Sequence, residues 1–135
     1  MANYYASART NYFAVKDVEL FEKAMEKIAG IEVIKREQDG IVLVGLLASD
    51  DDGSFPLVIW DEGGEDFEID WEQIFADHLQ DDWVAVMMEV GHEKLRFLNG
   101  YTIAYNNKKE TVAISLDKIY GLAKSLGSNI TEATY

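Results

Sequence analysis

Apolar positions along the chain recur with two periods, and the changes between them mark the elements. Val18, Phe21, Ala24, Met25 and Ile28 are spaced three or four apart, the face of one helix. Asp17 precedes them as an N-cap, Gly30 follows as a stop, and Glu19 with Lys23 forms an i,i+4 pair on the polar side. Asn11–Val15 reads as a short strand. In Ile31–Glu37 the residues Ile31, Val33 and Lys35 oppose Glu32 and Ile34, the period of a strand. An Asp39-Gly40 turn leads into Ile41–Ala48, whose unbroken apolarity predicts a central strand buried on both faces.

Asp50–Ser54 reads as a loop and Phe55–Trp60 as a strand. Pro56, the only proline, places that strand at an edge or has it start there. Gly63-Gly64 marks a turn before Asp66–Asp70. A helix over 70–80 brings Trp71, Ile74, Phe75, His78 and Leu79 to one side. Trp83–Val90 and Leu95–Tyr105 read as strands, and the turn 106–109 returns into Thr111–Ile114. Ser115 then caps a closing helix with Leu116, Ile119, Tyr120, Ala123 and Leu126 inward and Gly127 at its end. Residues 128–135 form a loose tail. Hairpin turns recur and most joins are too short for crossover helices. The expectation is therefore one α+β domain over 1–135, a largely antiparallel sheet with about three helices packed mainly on one face.

At 135 residues with 48% hydrophobic composition the chain can bury a sizeable core. The absence of cysteine excludes a disulfide, a thiolate metal site and a cysteine nucleophile. The longest apolar run, Ile41–Ala48, is far shorter than the about 20 residues that span a bilayer. Residues 1–30 carry Arg9, Lys16, Asp17 and Glu19 and do not resemble a secretory signal, so a cytoplasmic location is expected.

Charge changes the picture most. The formal net charge is −13, which argues against direct nucleic-acid binding and against anionic membrane surfaces. Residues 1–48 hold six basic and seven acidic side chains, and residues 83–135 six and five. The 34 residues from 49 to 82 contain no Lys or Arg and 13 carboxylates. These are Asp50, Asp51, Asp52, Asp61, Glu62, Glu65, Asp66, Glu68, Asp70, Glu72, Asp77, Asp81 and Asp82. Interleaved aromatic and aliphatic residues such as Phe55, Trp60, Phe67, Trp71 and Phe75 oppose disorder, so the acids are expected on folded structure. Asp70, Asp77 and Asp81 fall on one outward helical stripe, and Asp66, Glu68 and Asp70 alternate as one strand face requires.

No calcium-loop alignment survives. Placing Asp50, Asp52 and Gly53 at positions 3, 5 and 6 of an EF-hand puts Ala48 at 1 and Ile59 at 12. His78 and His92 lie outside any metal spacing, no nucleophile elbow or phosphate loop occurs, and neither catalytic residues, a metal nor a cofactor is assigned. The plainer reading of the acids is a solvated surface, and of the aromatics a core. Arg9, Lys94 and Arg96, with Tyr4, Tyr5 and Tyr12 nearby in sequence, form a separate polar site in an alternative reading as a small enzyme or regulatory domain. A divalent-cation module is a further alternative, since clustered carboxylates attract cations.

Two stretches, Asn3-Tyr4-Tyr5-Ala6-Ser7-Ala8-Arg9-Thr10-Asn11-Tyr12-Phe13 and Gly91-His92-Glu93-Lys94-Leu95-Arg96-Phe97-Leu98-Asn99-Gly100-Tyr101, resemble small acidic, largely uncharacterised proteins carried by bacterial phages and plasmids. The resemblance transfers no catalytic motif and lies outside residues 49–82. It implies an accessory role against host defences, in which acidic nucleic-acid mimics are frequent. The leading expectation is thus a non-enzymatic protein whose acidic segment binds the basic face of a nucleic-acid-handling protein, with restriction and CRISPR nucleases as targets.

Overall fold

A computed structural model describes residues 4–49, 53–56, 58–60, 66–94 and 97–133. The elements are β1 (Tyr5–Thr10), α1 (Val18–Glu26), β2 (Ile31–Gln38), β3 (Ile41–Ala48), β4 (Val58–Trp60), β5 (Asp66–Glu68), α2 (Trp71–His78), β6 (Ala85–Glu93), β7 (Phe97–Tyr105), β8 (Thr111–Ser115) and α3 (Lys118–Ala123). Six strands form one antiparallel sheet in the order β2-β3-β1-β6-β7-β8, while β4 and β5 pair separately. The fold is α+β. No helix among the described residues is long and apolar enough to cross a membrane.

The first strand joins the two halves of the sheet, pairing with β3 on one side and β6 on the other. It begins earlier than the strand expected at 11–15, where only the single bridges Phe13–Val44 and Val15–Leu79 occur. From Arg9↔Leu47 to Phe13↔Val44 the first chain advances four residues and β3 three, so one extra residue bulges there. Side chains repair the ladder. Thr10, 1% exposed, accepts the Leu46 N–H through Oγ1 at 2.8 Å, and Asn11 Oδ1 accepts the Val86 N–H at 2.8 Å. The bulge turns Tyr12 and Phe13 to opposite fates, one to the Arg9 and Arg36 guanidinium groups and one into the core.

Phe13, Phe21 and Phe75 meet edge to face at the centre, with centroids 5.9 and 5.7 Å apart. Met25, Val44, Leu46 and Leu79 close around them. Burying each such side chain contributes about 1.5–3 kcal/mol, which holds α1 and α2 on one face of the sheet. Asp17 caps α1 by accepting the Leu20 N–H. Glu19 and Lys23 do not pair; Glu22 instead meets Lys35 of β2 at 2.9 Å.

Three expectations need correction. The helix expected over 70–80 is Trp71–His78, with Asp70 as its N-cap and Leu79 already extended. His92 lies within β6, not in a turn. The closing helix is capped by no side chain, and α3 buries no residue. Leu116, Ile119 and Leu126, expected inward, are exposed, Leu126 to 90%. A helix of six residues offers too little surface to bury its apolar stripe, and none of its residues is buried.

Candidate interaction surfaces

The sheet has two unlike faces. The inner one carries the core and is covered by α1 and α2, and the described acids of the middle segment decorate the outside of that layer. Glu68, Asp70, Glu72, Asp77, Asp81 and Asp82 are all exposed. No lysine or arginine forms an ion pair with any of them among the described residues. Asp70 Oδ1 accepts the Gln73 N–H at 3.1 Å, a capping role, and Asp77 accepts from Gln73 Nε2 at 2.8 Å. Asp81 leaves the expected helical stripe. It lies beyond α2 and accepts from Asn107 Nδ2 at 2.6 Å. Asp66 belongs to β5 together with Glu68, whereas Asp70 lies past that strand. Asp50, Asp51, Asp52, Asp61, Glu62 and Glu65 fall outside the described residues.

His78 sits half-buried under this layer, edge-on to Phe21 with centroids 5.5 Å apart. Burial holds its imidazole below the usual value against the raising pull of Asp77, and Lys16 lowers it further. Among the described residues no three His, Asp or Glu side chains converge as metal ligands.

Towards one end of the inner face the carboxylate of Glu89 is 5% exposed. It accepts the Phe55 N–H and the Tyr4 hydroxyl, each at 3.1 Å, and the Asn99 amide donates to Tyr4 Oη at 2.9 Å. Tyr101 also hydrogen-bonds Glu89; burial first, then this carboxylate, pushes its phenol up to about 12. The cluster fastens the residues after β3 and the start of β1 onto β6 and β7. It is built as a structural tie, with every oxygen of the carboxylate engaged.

Among the described residues the outer face has no helical cover. Register places Tyr5, His92 and Leu98 in one row, and Arg9, Met88, Thr102 and Ile114 in another, all pointing to the same side. Val90 is 62% exposed and Ile114 61%. Leu116 folds over Gly100 and ends an open groove of about 720 Å³ shared with Tyr5, Val90 and Leu98. At the other end of this face the Tyr12 ring centroid lies 4.3 Å from the Arg36 guanidinium carbon and 5.8 Å from that of Arg9, two cation–π contacts on one ring.

The polar site imagined around Arg9, Lys94 and Arg96 is not assembled among the described residues. Arg9 faces Tyr12, Lys94 stands at the β6–β7 turn beside the groove, and Arg96 lies outside them. What the sequence reading missed was the open face. Its signal was present in β6, where both alternating phases are apolar, Met87 with Ala85 and Met88 with Val90. No known protein family, curated protein or solved structure matches the chain.

Proposed function

We propose that the protein is a non-enzymatic binding module whose acidic side docks the basic face of a nucleic-acid-handling protein, in the manner of a nucleic-acid mimic. The observation that carries this reading is the set of six exposed carboxylates on β5, α2 and the turn after it, with no basic side chain paired to them among the described residues. Unpaired carboxylates keep their full field, steer a basic partner and displace the counter-ions it holds. Host restriction and CRISPR nucleases are the targets that the resemblance to mobile-element proteins suggests.

The test is capture and inhibition of a panel of purified restriction and CRISPR nucleases, with duplex DNA as competitor. The informative variant joins Glu68→Gln, Glu72→Gln and Asp82→Asn, which sparing Asp70, Asp77 and Asp81 leaves the cap and side-chain hydrogen bonds intact. Binding is expected to weaken at least tenfold between about 50 and 200 mM salt and again in the variant. Failure to bind any member, or binding indifferent to these three acids, overturns the reading.

A further inference from the structure

The outer face of the sheet exposes more apolar surface than an isolated chain of this size ordinarily leaves in water. Tyr5, Met88, Val90, Leu98, Ile114 and Leu116 are each more than half exposed. At about 100 Å² of apolar surface per side chain these six amount to roughly 600 Å². Val112, opposite Ala104 on the same face, is 73% exposed and brings the patch to roughly 700 Å², above the about 300–600 Å² of an ordinary monomer's largest patch. A standard interface takes about 800 Å² from each partner.

We propose that this face is a self-association surface, on which a second copy of the chain packs its own outer face to form a twofold dimer. Charge does not oppose a second copy on this face. Each chain carries −13, and its described middle-segment acids stand on the helical side, across the sheet from this face. Two copies joined outer face to outer face turn those acids away from one another. Segment 83–135, which supplies most of the patch, holds six basic and five acidic side chains and adds little repulsion. Shape agrees: Ser7 and Thr102 alternate with larger neighbours across the face, leaving recesses that a facing sheet about 10 Å away fills.

The contact is face to face and not edge to edge. Leu116 N–H donates to Gly100 O at 2.9 Å, so alternate residues of β8 turn their backbone groups outward, Ala113 among them. Lys118 Nζ occupies the Ala113 carbonyl at 2.7 Å and blunts that edge.

Sedimentation velocity on the full chain tests this. At about 10–100 μM the wild type is expected to sediment as two chains, and more completely at about 0.5 M salt, because screening relieves repulsion between like-charged copies. The sign is opposite to that of the acidic docking, so the two proposals fail separately. Val90→Glu and, independently, Val112→Glu are expected to give monomers with unchanged far-ultraviolet circular dichroism; Val112 is 73% exposed on the edge strand, so its change spares the fold. Val42→Glu, exposed but on the other face of the sheet, is expected to leave the dimer intact. A wild type that stays monomeric at high salt, including one that binds only a foreign apolar partner, overturns the proposal. So does a dimer that persists in a folded Val112→Glu chain.

Discussion

Lys118 Nζ lies 2.7 Å from the carbonyl oxygen of Ala113, so the ammonium of α3 caps the outward edge of β8. The other edge strand, β2, carries Glu32, Lys35, Arg36 and Glu37, whereas β8 is Thr-Val-Ala-Ile-Ser with no charge of its own. An uncharged edge with free backbone groups is a template for another strand, and one lysine reaching back protects it.

Replacing Lys118 with alanine therefore frees the Ala113 carbonyl without touching the core. Light scattering at elevated temperature is expected to show faster aggregation, while unfolding free energy moves by no more than about 0.5 kcal/mol. A variant that aggregates no faster than wild type removes the guard role from this lysine.

Glu89→Gln leaves the buried Phe55 N–H and the two phenols competing for a neutral amide in place of a carboxylate. A loss of about 1–3 kcal/mol is expected in urea unfolding. The N-terminal strand and residues 53–56 should also become more accessible to protease, since Tyr4 and Phe55 both hydrogen-bond this carboxylate. Unchanged protease access would mean that other contacts carry the tie.

Gly91 shows how closely that corner is packed. A β-carbon there would meet the Tyr4 hydroxyl and the Tyr5 carbonyl oxygen, so Gly91→Ala must displace the tyrosine or open the β1–β6 ladder. The expected cost is about 1–3 kcal/mol, as for other overpacked sites. It should be smaller when measured in Glu89→Gln, where Tyr4 has already lost its charged partner.

Much of the fold is readable in the pattern of side chains. The hairpin at Asp39-Gly40 follows from two residues with positive φ, 54° and 79°. Burial of Leu43, Val44, Gly45 and Leu46 follows from the unbroken run of β3, but Ile41 and Val42 of the same run are exposed, so the strand is not buried along its whole length. Periodicity fails where a feature depends on distant partners. Nothing near Thr10 or Asn11 announces that their side chains stand in for strand hydrogen bonds to Leu46 and Val86, because those partners lie 36 and 75 residues away. The stripe of α3 reads as a buried face because spacing reports which residues are apolar and not whether an element exists to cover them. For the acidic segment the sequence fixes composition, while exposure and pairing need the fold: Asp70 turns out to be a cap and Asp81 a turn residue hydrogen-bonded to Asn107.

The tyrosines predict an alkaline limit. Tyr101 is raised to about 12 and Tyr105 is raised by burial and by Glu72 and Asp70. Between the unfolded value of 10.0 and the folded value the unfolded chain has released a proton that the native phenol retains. Stability is thus complete below pH 10 and falls as pH rises towards about 12. His78 works at the other end. Its value is lowered from 6.5, so its contribution is present above that pH and is lost on acidification. Chemical unfolding at pH 9 to 11 should show a shallower decline in Tyr101→Phe than in wild type, and unfolding at pH 7 to 5 a shallower decline in His78→Phe. Parallel wild-type and variant curves would contradict these assignments.

Thr102 offers the last test, because its Oγ1 is buried with no hydrogen-bond partner among the described residues. It stands between Met88 and Ile114 in the register of the outer face. A buried hydroxyl without a partner carries a desolvation cost that valine, of nearly the same shape, does not. Thr102→Val is therefore expected to raise unfolding free energy by up to about 1 kcal/mol and, if outer faces pair, to tighten the dimer as well. The two readouts separate cleanly. A rise in stability at monomeric concentrations concerns the chain alone, whereas a change confined to the sedimentation equilibrium concerns the facing copy. A loss in the monomer would show that Thr102 finds a partner in solution, and the outer face would then be wetter than its residues imply.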